Sequence, residues 1–281
     1  MLSTISSNLK ISDLLQGDLQ LTSPPNIYFE MQKVVEDPNK SITDIGYIIE
    51  QDPTLSIRLL KIVNSAFFGL PGQISSIKHA ITIIGVRELQ NLTLATIIID
   101  KFTALPGGLL SMQDFWARSL RCALISKELC IYRNNKSDLD SMFICGLLHD
   151  IGQLVFYRKI PELARQIGLL AESGKVDEIQ VETSILGFNH YQTGAELVRL
   201  WRLPEIIVET IGQHTEPDYT SVFADATSII RTAHYLCRMN NDNTYLNTFG
   251  SNIPVNDLNE ILDKVHNQFE AIFNIFYPTS R

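Results

Sequence analysis

The chain has 281 residues, of which 45% are hydrophobic and 19% charged, with a formal net charge of −8. This is enough apolar material for a sizeable core, and it excludes a globally disordered chain. The acidic balance provides no electrostatic footprint for nucleic acid or an anionic membrane. No run of about 18 apolar residues stands out as a membrane span. The opening MLSTISSNLK lacks a basic stretch followed by an apolar one. The expectation is a soluble cytoplasmic protein. Cys122, Cys130, Cys145 and Cys237 form no Cys-x-x-Cys pair and sit among apolar residues, as reduced thiols used in a core do.

The apolar spacing is mostly helical. Ile42, Ile45, Ile48 and Ile49 line one face behind a Ser41/Asp44 capping pair. Asp52-Pro53 predicts a helix start, with Leu55, Leu59, Ile62 and Val63 as its stripe and an end near Asn64-Ser65. Phe67-Phe68 reads as core before the turn at residues 69–72. Ser76 caps a helix carrying Ile77, Ile81 and Ile84, which stops at Gly85, and another runs from about Arg87 to Asp100. Leu105-Pro106-Gly107-Gly108 is the clearest break and sets a soft boundary near residue 108.

Further helices are expected over 112–132, 139–155 and 256–275, with polar loops at 133–137 and 240–243. Pro161, Gly174, Gly187 and Pro204 punctuate the intervening chain. No strand pair or 20–50-residue repeat is evident. The resulting division is an N-terminal extension (1–20), an N-terminal helical part (21–108), a helical core (109–240), and a loop with a C-terminal helix (241–281).

The pair His149-Asp150 ends an apolar run, where a plain core helix has no use for it. Imidazole and carboxylate are suitable donors for borderline or hard divalent ions, although taken alone a His-Asp pair is more often a capping or hydrogen-bonding group. His190 lies near the start of a helix running to Trp201. His214 ends the next helix, where a histidine also complements the dipole. His79 and His266 read as helix-surface residues. The sequence contains no P-loop, no Gly-rich dinucleotide fingerprint and no Gly-x-Ser-x-Gly elbow.

Over roughly residues 20–240 the chain resembles the HDOD proteins, a divergent bacterial branch of the HD phosphohydrolase superfamily. The resemblance is carried by residues 48–66 (IIEQDPTLSIRLLKIVNSA), residues 74–85 (ISSIKHAITIIG), Phe115-Trp116-Ala117-Arg118-Ser119, residues 146–152 (GLLHDIG), and the stretch from His190 to His214 with Trp201-Arg202-Leu203-Pro204 inside it. It implies an all-α fold, with an N-terminal helical subdomain packed on an HD-like helical core. It also implies a metal set of a leading His, the His-Asp pair, later histidines and a closing Asp. Matched position by position, His149 and Asp150 are the pair and His190 and His214 the later histidines. The leading His falls on Arg118, and the closing Asp falls on His234.

The two departures weigh on function. A guanidinium donates no lone pair. At about 4–6 Å and an effective dielectric near 20, it disfavours a divalent ion by several kcal/mol. Arg118 thereby becomes a candidate ion-pair partner for Asp150. Gln153 stands where the HD-GYP phosphodiesterases carry Lys, and no Gly-Tyr-Pro follows His214. The resemblance therefore implies a non-catalytic or degenerate regulatory module in bacterial signal transduction. Such a module acts through an unidentified signalling partner or ligand, without nucleic acid or membrane, and the last helix is a candidate homodimer face. The alternative is a metal-dependent phosphohydrolase with an altered site. Its ion would be Fe, Mn, Zn, Ni or Mg on His149, Asp150, His190, His214 and His234, with Asp150 catalytic and Arg118 on the substrate phosphate.

Overall fold

A computed structural model of the chain describes residues 9–17, 26–102, 111–238 and 253–277. Among these residues there are helices and no strands: α1 (Ile11–Leu15), α2 (Asn26–Glu36), α3 (Ile42–Glu50), α4 (Pro53–Val63), α5 (Ile77–Ile84), α6 (Val86–Phe102), α7 (Met112–Tyr132), α8 (Leu139–Leu148), α9 (Ile151–Lys159), α10 (Pro161–Gly174), α11 (Glu178–Leu186), α12 (His190–Leu200), α13 (Glu205–Gln213), α14 (Ala224–Arg238) and α15 (Val255–Phe276). The fold is all-α, as the sequence predicts. The proposed boundary near residue 108 and the loop at 240–243 lie outside the described residues.

The helix starts follow from local chemistry. The Asp44 carboxylate accepts from the Ser41 N–H at 2.8 Å and its hydroxyl at 3.0 Å, which fixes the entry to α3. Asp52 accepts from the N–H groups of Thr54 (2.9 Å) and Leu55 (3.0 Å), with Pro53 opening α4. Ser76 accepts from the N–H of His79 at the start of α5. Gly85 ends α5 at φ +85°, a conformation that costs glycine little, and the chain bends by 119° into α6.

The 21-residue α7 is the central post, with α8, α14 and α15 packed against it. α9 lies on α12, and α12 pairs with α13. α15 buries Leu258, Ile261, Val265, Phe269 and Ile272 across α7 and α4, joining the N-terminal helices to the rest. It is pinned by Lys264 to Glu128 (2.7 Å) and by Tyr132 to Asp257 (2.8 Å). One continuous apolar cluster extends from Leu14 to Ile272.

Two expectations require correction. The stretch Leu139–Lys159 does reach the length and hydropathy of a membrane span, with a mean hydropathy of 1.3, but 83% of that window is buried inside the fold. Nor is 139–155 one helix: α8 stops at Leu148, and α9 starts at Ile151. At Asp150 the backbone lies at φ −103°, ψ 12°, outside helical geometry. The break lets α9 turn onto the start of α12 so closely that a Cβ on Gly152 would land on the His190 carbonyl oxygen. A side chain at 152 would hold the two helices apart.

Candidate metal centre

Four helix ends and one helix face deliver the site. His149 and Asp150 occupy the α8–α9 break. His190 is the first residue of α12. It is set there by a reciprocal cap in which Asn189 Oδ1 accepts from the Gln192 N–H (2.9 Å) and Gln192 Oε1 from the Asn189 N–H (3.0 Å). His214 ends α13, and His234 projects from α14. All five residues are at most 4% exposed.

The hydrogen bonds fix the imidazole tautomers so that lone pairs converge. His149 Nδ1 donates to the Gly146 carbonyl at 2.7 Å, leaving Nε2 to face Asp150 Oδ2 at 3.2 Å. His214 Nδ1 donates to the carbonyls of Thr210 (3.1 Å) and Ile211 (3.0 Å), which leaves its Nε2 bare. His190 Nδ1 is held between the Glu182 oxygens at 2.8 and 2.9 Å, and its Nε2 lies 3.7 Å from Asp150 Oδ1. His234 Nε2 lies 3.4 Å from the Tyr191 hydroxyl, and its Nδ1 is 3.9 Å from Asp150 Oδ1. Among the described residues, Asp150 Oδ1, His190 Nε2, His214 Nε2 and His234 Nδ1 have no hydrogen-bond partner.

Buried polar atoms are rarely left in this state. Donor atoms of His149, Asp150 and His234 all lie within 4.8 Å of one another. The closest separations, 3.2 and 3.7 Å, bracket the edge of about 3.3–3.4 Å expected for a tetrahedron with metal–nitrogen bonds of about 2.0–2.1 Å. These three donors suit one divalent ion of the borderline class; His190 approaches Asp150 at 3.7 Å, and the His214 ring stands 5.1 Å from that of His234.

Electrostatics agree with this geometry. Burial opposes ionisation of Asp150, but the charge and hydrogen bond of His149, with His190 and His234, hold its carboxyl well below the usual range. Burial likewise opposes a charge on His190, yet Glu182 and Asp150 outweigh it and bring the pKa up to about 9. His214 is lowered to about 3 by burial and then by His149. His234 is pushed well down, chiefly by burial, against the pull of Asp150. Without an ion, the His190 imidazolium supplies the positive charge between two buried carboxylates.

All five predicted donors are therefore brought together, and Arg118 is not among them. It lies exposed on α7, and the expected Arg118–Asp150 ion pair is not formed: the groups beside Asp150 are His149, His190 and His234. The charge of Arg118 acts on Tyr157 instead. The arginine whose charge acts on Asp150 and His234 is Arg238, in the last turn of α14. Some of it is covered enough for desolvation to oppose its charge, and Asp150, followed by Tyr191, Glu178 and Asp177, more than offsets this and raises its pKa.

The other missed residue is Glu182, on α11, 2% exposed. Besides gripping His190 Nδ1, it accepts the His190 backbone N–H at 2.8 Å. A glutamate eight residues before a histidine is no recognisable spacing. The only available clue was a carboxylate in a short helix that also carries the apolar Ile179, Val181, Ile185 and Leu186.

A helical core built around a broken His-Asp helix, with histidines from three later helices closing on the pair, defines an HD-type domain. The HDOD domain model matches residues 21–217, and the chain belongs to that family. An uncharacterized protein of Treponema pallidum is 29% identical over 195 residues, 68% of this chain and 36% of that protein. The chain spans little more than a third of the length of the curated relatives it matches, 36% and 39%. Among solved structures, an HDOD domain protein of unknown function from Geobacter sulfurreducens superposes with a TM-score of 0.79 at 22% identity, covering 94% of this chain and 96% of that one. A Shewanella amazonensis protein provisionally named a phosphohydrolase gives 0.77 at 23% identity, covering 94% and 97%. At these identities the structural likeness concerns the fold.

Proposed function

We propose that the chain is a regulatory HDOD module of a bacterial signalling pathway, in which the HD-type centre is a sealed, ion-holding core and not a hydrolytic site. The observation that carries this reading is burial: His149, Asp150, His190, His214 and His234 are each at most 4% exposed. A hydrolytic centre needs an open coordination position and room for a phosphoester beside it. Here the donors come from every side of a closed helical junction. The positive charge expected to block the metal, Arg118, lies outside the cluster, so it is enclosure that opposes turnover.

The ion would be held by His149, Asp150, His190, His214 and His234, with Glu182 orienting His190 from behind. In an open HD site such an ion acidifies water and polarises a phosphoester. In this chain the residues bring four helix ends and one helix face to one point, and an input that loosens any of them is transmitted to the rest. The output of such a module is a protein contact, with a signalling partner or a second copy.

The test is turnover by the full chain, loaded in turn with Mn, Fe, Zn, Ni and Mg, on p-nitrophenyl phosphate, bis(p-nitrophenyl) phosphate and cyclic di-GMP. The expected result is no hydrolysis above the metal-free blank. Turnover that disappears in His149→Ala would replace this reading with that of a metal-dependent phosphohydrolase.

A further inference from the structure

α7 and α14 flank the His/Asp cluster and pack against each other, and each contributes a cysteine to the seam. Cys122 is fully buried, 4.0 Å from the Ser126 hydroxyl, on the helix against which α14 packs, and Cys237 is near enough to act on its thiol. Cys237 is half-exposed, in the last turn of α14. It follows His234 by three residues and so shares that residue's side of the helix. Asp150 is close enough for its charge to act on Cys122. The other two cysteines lack this arrangement. Cys130 Sγ donates to the Asn135 carbonyl at 3.0 Å, and Cys145 is buried in α8.

From this juxtaposition we infer that Cys122 and Cys237 form a redox-responsive pair: a peroxide-class oxidant converts them to an intramolecular disulfide that ties the His234 end of α14 to α7. The chemistry runs in two steps. The Cys237 sulfur, which solvent reaches, attacks one oxygen of hydrogen peroxide. The O–O bond breaks, the departing hydroxide takes the thiol proton as water, and Cys237 becomes a sulfenic acid. The Cys122 sulfur then attacks the Cys237 sulfur. The S–O bond breaks, and the hydroxyl leaves with the Cys122 proton as a second water. Two thiols and one peroxide give one disulfide and two waters.

Burial makes Cys122 a poor first nucleophile, since its pKa is pushed well up by desolvation and then by Cys237. It is placed instead as the resolving thiol, sheltered from further oxidation. The bridge would close a loop of well over a hundred residues, the situation in which a crosslink restricts the unfolded chain most. It would also draw the turn carrying His234 against α7, coupling the redox state to the geometry of the cluster. The pair needs no bound ion, and its success or failure is separate from that of the metal reading.

The test uses the full chain, purified reduced and treated with hydrogen peroxide, then unfolded in an alkylating agent and digested. The expected outcome is loss of two of the four alkylatable thiols, with one disulfide-linked peptide pair containing Cys122 and Cys237. Dithiothreitol should restore all four, and the melting temperature should rise by roughly 5–10 °C on oxidation. Cys237→Ser should keep its three remaining thiols under the same treatment. Four alkylatable thiols after treatment, a bridge through Cys130 or Cys145, a bridge between chains, or Cys237 oxidised to sulfinic acid without bridging would each overturn the inference.

Discussion

At His190 an imidazole lies between two buried carboxylates, with Nδ1 on Glu182 and Nε2 toward Asp150. With its pKa at about 9, it carries a proton at neutral pH that an incoming cation must displace. Zinc or manganese binding at pH 7.5 should therefore release close to one proton per ion. Calorimetry in buffers of different protonation enthalpy measures this, and no release would refute the assignment of His190 as a ligand. Glu182→Gln removes the charge that holds the proton, so release should fall toward zero. Its loss as an orienting partner should also weaken ion binding by about 10–100-fold. His214 has the opposite shift. Its folded pKa of about 3 lies below the ordinary histidine value, so between about pH 3 and 6.5 the unfolded chain binds a proton that the folded chain does not. Stability of the metal-free protein is thus lost on acidification through that window. The contribution of His190, present below about 6.5, is lost as pH rises toward 9. Replacing His214 with Leu should flatten the acid limb of a plot of unfolding free energy against pH by about 1.4 kcal/mol per pH unit. An unchanged slope would show that His214 is not buried as the neutral form.

Among the elements, glycines decide how closely helices approach. Gly152 lets α9 rest on the start of α12, and Gly146 lets α8 meet α7, where a Cβ would lie 2.7 Å from Ala123 Cα. Gly168, inside α10, has open space around it. The same substitution should therefore act in opposite directions. Gly152→Ala should destabilise by at least about 3 kcal/mol, whereas Gly168→Ala should stabilise by about 0.5–1 kcal/mol through helix propensity. Urea midpoints of the two variants check this, and a neutral Gly152→Ala would contradict the close packing of α9 on α12. This contrast also marks the limit of what the sequence reveals. Helix starts at Ser41, Asp52 and Ser76 are legible because caps and proline act within a few residues. The break at His149-Asp150 is not legible, because apolar residues continue across it and the contact it permits, with α12, is tertiary. The five donors could be placed through family resemblance, whereas Glu182 belongs to the site only by virtue of packing. Arg118 falls on the position matched to the leading ligand, yet it faces solvent. A one-dimensional match fixes a position along a helix, and the direction of the side chain depends on how that helix is rotated against its neighbours.

For the molecule as a whole, the question is whether the helices before α7 fold as a unit of their own. The apolar cluster runs without interruption from Leu14 to Ile272, and α15 lies across both α4 and α7. An ion held where α8, α9, α12, α13 and α14 meet should therefore stabilise the N-terminal helices too, although none of them supplies a donor. At 100 times its dissociation constant, an ion contributes about 2.7 kcal/mol, which for a chain of this size raises the melting temperature by roughly 5–10 °C, and a chelator should reverse the shift. The two tryptophans, Trp116 and Trp201, are both buried and both lie beyond residue 110, so fluorescence follows the HD-like part. Far-UV circular dichroism follows every helix. If the core is continuous in energy as well as in contact, the two signals should trace one transition, and both should move together when the ion is added. A helical signal that melts in two steps, only one of them ion-dependent and matched by fluorescence, would show that α2–α6 fold separately and that the contact made by α15 is too weak to couple them.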